Sequence, residues 1–177
     1  MNIFISHSIL DKKIIKDLQS FIKPFRFNLF VAEHYIHLTK SVSEKIKFMI
    51  EKSDIGLIFI TDNSYNSQFV QQEIGYLEAL KKPYLQVIQK GYERKISGFN
   101  YGRDFMVFEK DKFELVRGSI RMLLVKYYLN KKRLIKKITE AKRKQEEERL
   151  REQEEKAQLV LGTLAISIFV AIMSSKK

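Results

Sequence analysis

The run IGLIFIT, residues 55–61, constrains the fold of this chain more than any other stretch. Its residues are almost all apolar, which is expected of a strand covered on both faces in the middle of a parallel sheet. A helical pattern precedes it at 41–54, and another follows it from residue 66. The local order of helix, strand and helix therefore predicts a sheet with helices packed on both of its faces.

The same alternation extends through the first two thirds of the chain. Strands are predicted at 2–6, 28–32, 55–61, 84–89 and 105–109, and helices at 8–24, 41–54, from 66 to near Lys82, and 112–129. Ser8 and Asp11 fit an N-cap and capping box for the first helix, which Pro24 ends. This pattern predicts an α/β fold with one parallel sheet, of about 125 residues.

In open α/β sheets, binding sites form beyond the carboxyl ends of the strands. The polar residues there are Ser6, His7 and Ser8 after the first strand, Glu33 and His34 after the second, and 61–64 after the third. No GxGxxG, GxxxxGK[ST] or GxSxG motif is present, so dinucleotide-fold, P-loop and nucleophile-elbow chemistry is not indicated. Neighbouring residues of a strand point to opposite faces, which disfavours a Ser–His catalytic pair.

The amino-acid composition limits the kinds of site and partner that the chain can have. The chain has no cysteine and only three histidines (His7, His34 and His37), without metal-binding spacing, so we expect no metal site. The net charge of +12 and pI of about 9.7 suit an anionic partner or simply a lysine-rich surface. The helices show no evident phosphate-binding pattern, and we expect no nucleic-acid partner. Because no signal segment opens the chain, we expect the bulk of the protein not to be exported.

The character of the sequence changes after residue 129. Residues 130–157 carry charges of both signs at i,i+3 and i,i+4 spacing, which predicts an exposed helical spacer. Residues 157–175 are uncharged and approach the roughly 17–25 residues that span a bilayer. We therefore predict three parts: a domain at 1–129, a charged helix at 130–157 and a transmembrane helix at 158–175, with the domain on the cytosolic side. A hydrophobic helix docked on protein is the alternative.

Glu73 is the most informative single residue. It lies in NSQFVQQEIGYLEAL (66–80), beside the apolar stripe of a helix and one turn after Phe69. A fixed carboxylate suits cleavage at an anomeric carbon, where the transition state is an oxocarbenium ion. When the leaving group is already cationic, as nicotinamide is in NAD, no general acid is needed. From spacing alone, a surface glutamate paired with Lys81 or water is the simpler interpretation.

Several stretches, in the right order, resemble a TIR (Toll/interleukin-1 receptor) domain. They are NIFISHSILDKKIIKDLQSFI, LFVAEHYIHLTKSVSEKI and SDIGLIFITDNSYNSQFVQQEIGYLEALKKPYLQVI, the last with an aromatic residue four positions before a glutamate. FVAEH and QQEIGY are most similar to prokaryotic TIR proteins of antiphage defence, the Thoeris-like group. The resemblance covers residues 1–125 and implies a flavodoxin-like, three-layer fold.

The resemblance also implies a function. Enzymatic TIR domains cleave the nicotinamide–ribose bond of NAD, which makes NAD a substrate and requires no cofactor. Glu73 would be the catalytic residue. The residues implied to line the nucleotide site are Ser6, His7, Asp11, Phe30, Glu33, Ser67 and Phe69. Activity would need TIR–TIR self-association, and a downstream effector could read the product.

The sequence departs from the family pattern at three places. Ala32 replaces a common aspartate, the BB loop YIHLTKS (35–41) lacks Pro-Gly, and Phe69 replaces the commoner tryptophan. Two other functions stay open: an inactive TIR scaffold that recruits TIR proteins at a membrane, and, more remotely, a nucleoside deoxyribosyltransferase.

Overall fold

The computed structural model describes residues 1–25, 27–32, 40–95 and 105–174, with backbone alone for 40–42, 95, 165 and 169–174. Five strands form one parallel sheet in the order β2-β1-β3-β4-β5. They are β1 (Asn2–Ser6), β2 (Asn28–Val31), β3 (Ile55–Ile60), β4 (Tyr84–Gln89) and β5 (Phe105–Phe108). The helices are α1 (Lys12–Ile22), α2 (Lys40–Lys52), α3 (Gln68–Ala79) and α4 (Phe113–Ser174).

Side chains that alternate along the strands build a core on each face of the sheet. On one face, α2 and α3 cover a buried cluster formed by Phe4, Ala32, Ile50, Ile58, Ile60, Val70, Ile74, Leu77 and Ile88. On the other face, Phe59 packs against Phe108 and Phe113, with ring centroids 6.3 and 6.2 Å away. All six residues of β3 are buried. The α/β parallel sheet predicted from the alternating pattern is therefore confirmed.

Helix α3 packs closely on β3 because Gly56 has no side chain. A Cβ atom at Gly56 would lie 3.0 Å from Leu77 Cδ1 and 3.0 Å from Tyr84 Cβ. The helix ends where Lys81 adopts a left-handed conformation with φ of 53°, two residues before Pro83. The chain then enters β4 at Tyr84.

The predicted capping box at the start of the first helix is wrong. Ser8 caps a short 3-10 turn, its Oγ accepting a hydrogen bond from Leu10 N at 3.3 Å. Asp11 makes no side-chain capping bond to α1. Its carboxylate instead accepts hydrogen bonds from Thr61 and Asn63 at the end of β3. These donors lie 50 and 52 residues along the chain, beyond the reach of a local capping rule.

Contacts divide the chain into two units, Met1–Val125 and Lys126–Lys177. The predicted domain boundary after residue 129 falls close to this division, within α4. In the second unit, Arg143 pairs with Glu147 at 3.5 Å and Arg149 with Glu146 at 2.7 Å.

In the part of the chain that the structure describes, no helix has both the length and the apolar character needed to cross a membrane. The predicted transmembrane helix, 158–175, extends beyond the residues whose side chains are described, and that prediction gains no support here.

Candidate active site

Glu73 is buried, with 4% of its surface exposed, in the middle of α3. Ser6, the last residue of β1, donates a hydrogen bond from its Oγ to Glu73 Oε2 at 2.5 Å. A carboxylate leaves water at a large cost unless polar partners hold it, so this hydrogen bond is part of what allows Glu73 to be buried. The simpler interpretation of Glu73 as a surface residue is therefore wrong.

The turn between β3 and α3 sets the position of this glutamate. Ser64 Oγ donates to the carbonyl oxygen of Phe59 at 2.7 Å and accepts from Thr61 N at 2.8 Å. Ser67 then caps α3, its side chain accepting from Val70 N at 3.4 Å. Ser67 was expected at the nucleotide site, and that role stays a prediction. Its observed contact starts the helix that carries Glu73.

A cavity of about 490 Å³ lies along the groove between α2 and α3. This volume is within the range of about 300–1,000 Å³ that is typical of small-molecule sites. Helix α3 contributes Phe69, Gln72, Glu73, Gly75, Tyr76 and Ala79, and helix α2 contributes Ser43, Ile46, Lys47 and Ile50. Both sets follow helical i,i+3 and i,i+4 spacing, because each helix turns one face toward the groove.

Phe69 forms part of the wall of this cavity one helical turn before Glu73. Phe69 is 40% exposed, so apolar surface of this residue is accessible to solvent or a ligand. Ile46 and Ile50 supply further apolar surface from α2. The cavity therefore combines a buried carboxylate with an aromatic wall, an arrangement that can hold a flat ring beside a sugar.

Tyr76 contributes a hydroxyl group to the cavity, in addition to that of Ser43. Its phenol donates a hydrogen bond to Glu51 Oε1 at 2.5 Å. That hydrogen bond, together with partial burial and the negative charge of Glu51, raises the pKa of Tyr76 above its ordinary value of 10.0. The phenol therefore remains protonated across the neutral pH range and acts as a hydrogen-bond donor.

The other predicted site residues have different surroundings. His7 is 1% exposed, and its Nδ1 lies 2.5 Å from the carbonyl oxygen of Ser8. Phe30 packs against the core beneath α2 and α3. Glu33 and residues 35–39 of the predicted BB loop lie outside the described residues, and the last two residues of that predicted loop, Lys40 and Ser41, belong instead to α2. The structure thus brings together Ser6, Phe69 and Glu73, and the roles predicted for the others at the nucleotide remain predictions.

Asp11 joins three segments at the carboxyl edge of the sheet. Its buried carboxylate accepts from Thr61 Oγ1 at 2.7 Å and from Asn63 Nδ2 at 2.8 Å. Lys110, just after β5, places its Nζ 3.5 Å from Asp11 Oδ1 and also pairs with Asp62. Through these contacts, Asp11 connects the segments that follow β1, β3 and β5.

Four polar residues of the cavity were not among the site residues predicted from the sequence: Ser43, Lys47, Gln72 and Tyr76. The signal that could have identified them is topological. The two crossovers β2-α2-β3 and β3-α3-β4 run in the same direction across the sheet, and right-handed crossovers then place both helices on one face. Residues one position away from the apolar stripe of α2 would then face α3.

Across the described ranges, no group of three or more His, Asp or Glu side chains is arranged to hold a metal ion. The residues that line the cavity contribute one carboxylate, one ammonium, two hydroxyl groups, one amide and two aromatic rings.

Comparison with known families identifies the domain type. The family model described as TIR domain matches residues 3–112, more than half of the chain. No curated protein sequence matches significantly. Among solved structures, 28 chains match. One of them is the CMP N-glycosidase BcmB of Clostridium botulinum, 16% identical, with a TM-score of 0.49, covering 67% of this chain and 99% of that chain.

Proposed function

The chain belongs to the TIR domain family, and from this premise we propose that it cleaves the nicotinamide–ribose bond of NAD, with Glu73 as the catalytic residue. The observation that carries the proposal is the placement of Glu73. This carboxylate is buried and held by Ser6, and Glu73 belongs to the lining of a cavity of nucleotide-compatible size. A buried carboxylate that lines a cleft is a candidate for catalysis, because its surroundings must compensate the cost of its burial and thereby hold it in a fixed position.

The chemistry needs little beyond that carboxylate. As the C1′–N bond breaks, its electron pair passes to the ring nitrogen, and cationic nicotinamide leaves as a neutral molecule. Positive charge develops on C1′ and the ring oxygen of the ribose, where Glu73 stabilises it. Water then adds to C1′ and loses a proton to give ADP-ribose. A hydroxyl or ring nitrogen of the same nucleotide can add instead, which gives a cyclic product.

Phe69 suits the leaving group. Nicotinamide in NAD carries a positive charge, and an aromatic face attracts a cation within about 6 Å of its centroid. This attraction is lost when nicotinamide becomes neutral, so Phe69 contributes mainly to substrate binding and ring orientation. In this proposal the ring lies against Phe69, and the ribose lies over Glu73 one helical turn further on.

The test is to incubate the purified full-length chain at high concentration with NAD and to identify the products by mass. The matched variants are Glu73→Gln, which removes the proposed charge, and Glu44→Gln, which changes an exposed carboxylate of α2 outside the cavity lining. Turnover that is lost in Glu73→Gln and kept in Glu44→Gln supports the enzyme. A product of ADP-ribose mass indicates hydrolysis, and a mass lower by one water indicates cyclisation.

The alternative is an inactive TIR scaffold. It predicts that NAD remains intact with every variant while the chain still self-associates. Sedimentation of wild-type protein and Glu73→Gln separates the two cases when it is combined with the product analysis, because the scaffold needs assembly alone. Persistent absence of turnover in the assembled protein would reject the enzyme.

Membrane attachment and self-association complete the proposal. Residues 157–175 carry no charge, and large apolar side chains are more than half exposed there, including Leu159, Leu161 and Ile166. We propose that this segment lies in a bilayer with the TIR domain on the cytosolic side. We also propose that the chain acts in antiphage defence signalling or NAD depletion.

Cell fractionation tests the membrane anchor. A chain truncated after residue 157 should no longer be found in the membrane fraction. If the truncated chain stays there, the anchor is wrong.

A further inference from the structure

We infer that Lys47 binds a phosphate group of the substrate, so that the site selects nucleotides over nucleosides. This inference deepens the proposed function and rests on it, because Glu73 marks the position of the reacting ribose carbon. Lys47 lines the same cavity as Glu73, from the opposite helix. Among the described residues of the cavity lining, it supplies the one cationic side chain.

The two helices give the cavity walls of different character. Helix α3 contributes the aromatic ring of Phe69 and the carboxylate of Glu73, while α2 contributes a hydroxyl, two isoleucines and the ammonium of Lys47. A carboxylate repels a phosphate, so a nucleotide cannot turn both its ribose edge and its phosphate toward Glu73. The favourable orientation places the anomeric carbon toward α3 and the phosphate toward Lys47.

The exposure of Lys47 is compatible with this role. The residue is exposed on α2, whereas Ile46 and Ile50 on its flanks are half-buried and buried. Its ammonium therefore remains hydrated before the ligand arrives, and binding a phosphate costs little desolvation. Hydrogen bonds between ionised partners are stronger than neutral ones, which makes one such contact sufficient for discrimination.

The arrangement also matches the geometry of a ribonucleotide. The 5′-phosphate lies across the ribose from the base, so base, ribose and phosphate follow one another along a groove. In the cavity, Phe69, Glu73 and Lys47 supply the aromatic wall, the carboxylate and the ammonium that these three parts require. A nucleoside would fill only the first two positions and leave the lysine without its ligand.

Equilibrium binding tests this inference without turnover. The probes are nicotinamide mononucleotide and nicotinamide riboside, which differ by one phosphate, measured by calorimetry against the full-length chain with Glu73→Gln in place to prevent cleavage. We expect the nucleotide to bind about tenfold more tightly or better, the scale of one charge-assisted contact. Lys47→Ala should abolish the preference, and Lys47→Arg should restore most of it.

Lys45→Ala is the matched control, because Lys45 is exposed on the same helix but does not line the cavity. It should leave the preference intact. Three results would each overturn the inference. The first is equal binding of the two probes by the chain that carries Glu73→Gln alone. The others are a preference for the nucleotide that survives Lys47→Ala, and a preference that Lys45→Ala reduces as much as Lys47→Ala does. Glu73-dependent cleavage of NAD with a preference that survives Lys47→Ala would reject the role of Lys47 alone. A Lys47-dependent preference in a chain that never cleaves NAD would reject the proposed function alone.

Discussion

Ser6 fixes the carboxylate on which the proposed chemistry depends. Its hydroxyl donates to Glu73 Oε2 from the end of β1, and both residues are buried. Side chains at alternate positions of β1 point to alternate faces, so Ser6 shares with Phe4 the face that α2 and α3 cover. His7 follows on the chain but contacts the carbonyl oxygen of Ser8.

Replacing Ser6 by alanine tests this contact. The substitution Ser6→Ala removes one donor from a buried carboxylate, and we expect it to lower the free energy of unfolding by about 1–3 kcal/mol. It should also reduce the rate of NAD cleavage, because Glu73 is no longer held in one orientation. Urea denaturation and initial rates provide the two measurements. Unchanged stability together with an unchanged rate would show that Glu73 does not depend on Ser6.

Asp11 is expected to matter for stability more than for substrate affinity. Its carboxylate receives hydrogen bonds from Thr61 and Asn63 and lies near Lys110. Asp11→Ala should cost about 1–3 kcal/mol, because it leaves the buried donors of Thr61 and Asn63 without this acceptor, whereas Lys110 keeps its pairing with Asp62. Asp111→Ala, an exposed acidic change nearby, should stay within about 0.5 kcal/mol. Similar unfolding midpoints for the two variants would contradict this assignment.

At the scale of elements, the contact between β3 and α3 determines where Glu73 can lie. Gly56→Ala would bring a methyl group within 3.0 Å of Leu77 Cδ1 and Tyr84 Cβ. We expect a loss of about 1–3 kcal/mol of stability from overpacking. A methyl group at the helical Gly118 would meet no heavy atom within 4 Å outside its own helix backbone and chain neighbours. Gly118→Ala should therefore raise the free energy of unfolding by about 0.5–1 kcal/mol through helix propensity. Urea denaturation of both variants checks this, and changes in the free energy of unfolding that have the same sign would refute the explanation.

Elements that depend on local sequence could be predicted closely. The bounds of β1 and β4 agree with the predicted ranges because short, mostly apolar runs define them, and Pro83 separates β4 from α3. The start of α1 could not be predicted, since the hydrogen-bond partners of Asp11 come from the end of β3. A capping rule considers neighbours three residues away and has no information about such distant donors.

The candidate site also contains residues that could be predicted from local sequence and residues that could not. Glu73 and Phe69 could be found because both lie on one helix at a recognisable spacing. Lys47 could not, because its place in the cavity depends on the packing of α2 against α3. That packing follows from strand order, which the alternation of strands and helices does not determine; only the TIR resemblance implied a flavodoxin-like sheet. Site residues that a second helix contributes can therefore be identified only when the topology of the sheet is known.

At the scale of the whole molecule, pH should affect stability through the cluster at the carboxyl edge of the sheet. The hydrogen bond from Lys110 holds the pKa of Asp62 below its ordinary value of 3.8. A depressed pKa means that the folded state binds the proton less readily than the unfolded state. The stabilisation is thus complete above the unfolded pKa and is lost as the pH falls below about 3.8.

The measurement is the free energy of unfolding between pH 5 and pH 3, for wild-type protein and Asp62→Asn. The wild type should lose more stability over this interval than the variant, by less than about 1 kcal/mol, because the pair is partly exposed and screened. Added salt should reduce the difference. A steeper loss in Asp62→Asn than in the wild type would reverse the sign and contradict the assignment.

The central claim is that Glu73 promotes cleavage of a glycosidic bond in this TIR domain. The most direct measurement is the initial rate of nicotinamide release from NAD by wild type, Glu73→Gln and Glu44→Gln at equal, high protein concentration. The account predicts a loss of about 10²-fold or more for Glu73→Gln, the scale of removing one preorganised electrostatic group, and no loss for Glu44→Gln. Equal rates for Glu73→Gln and wild type would contradict it.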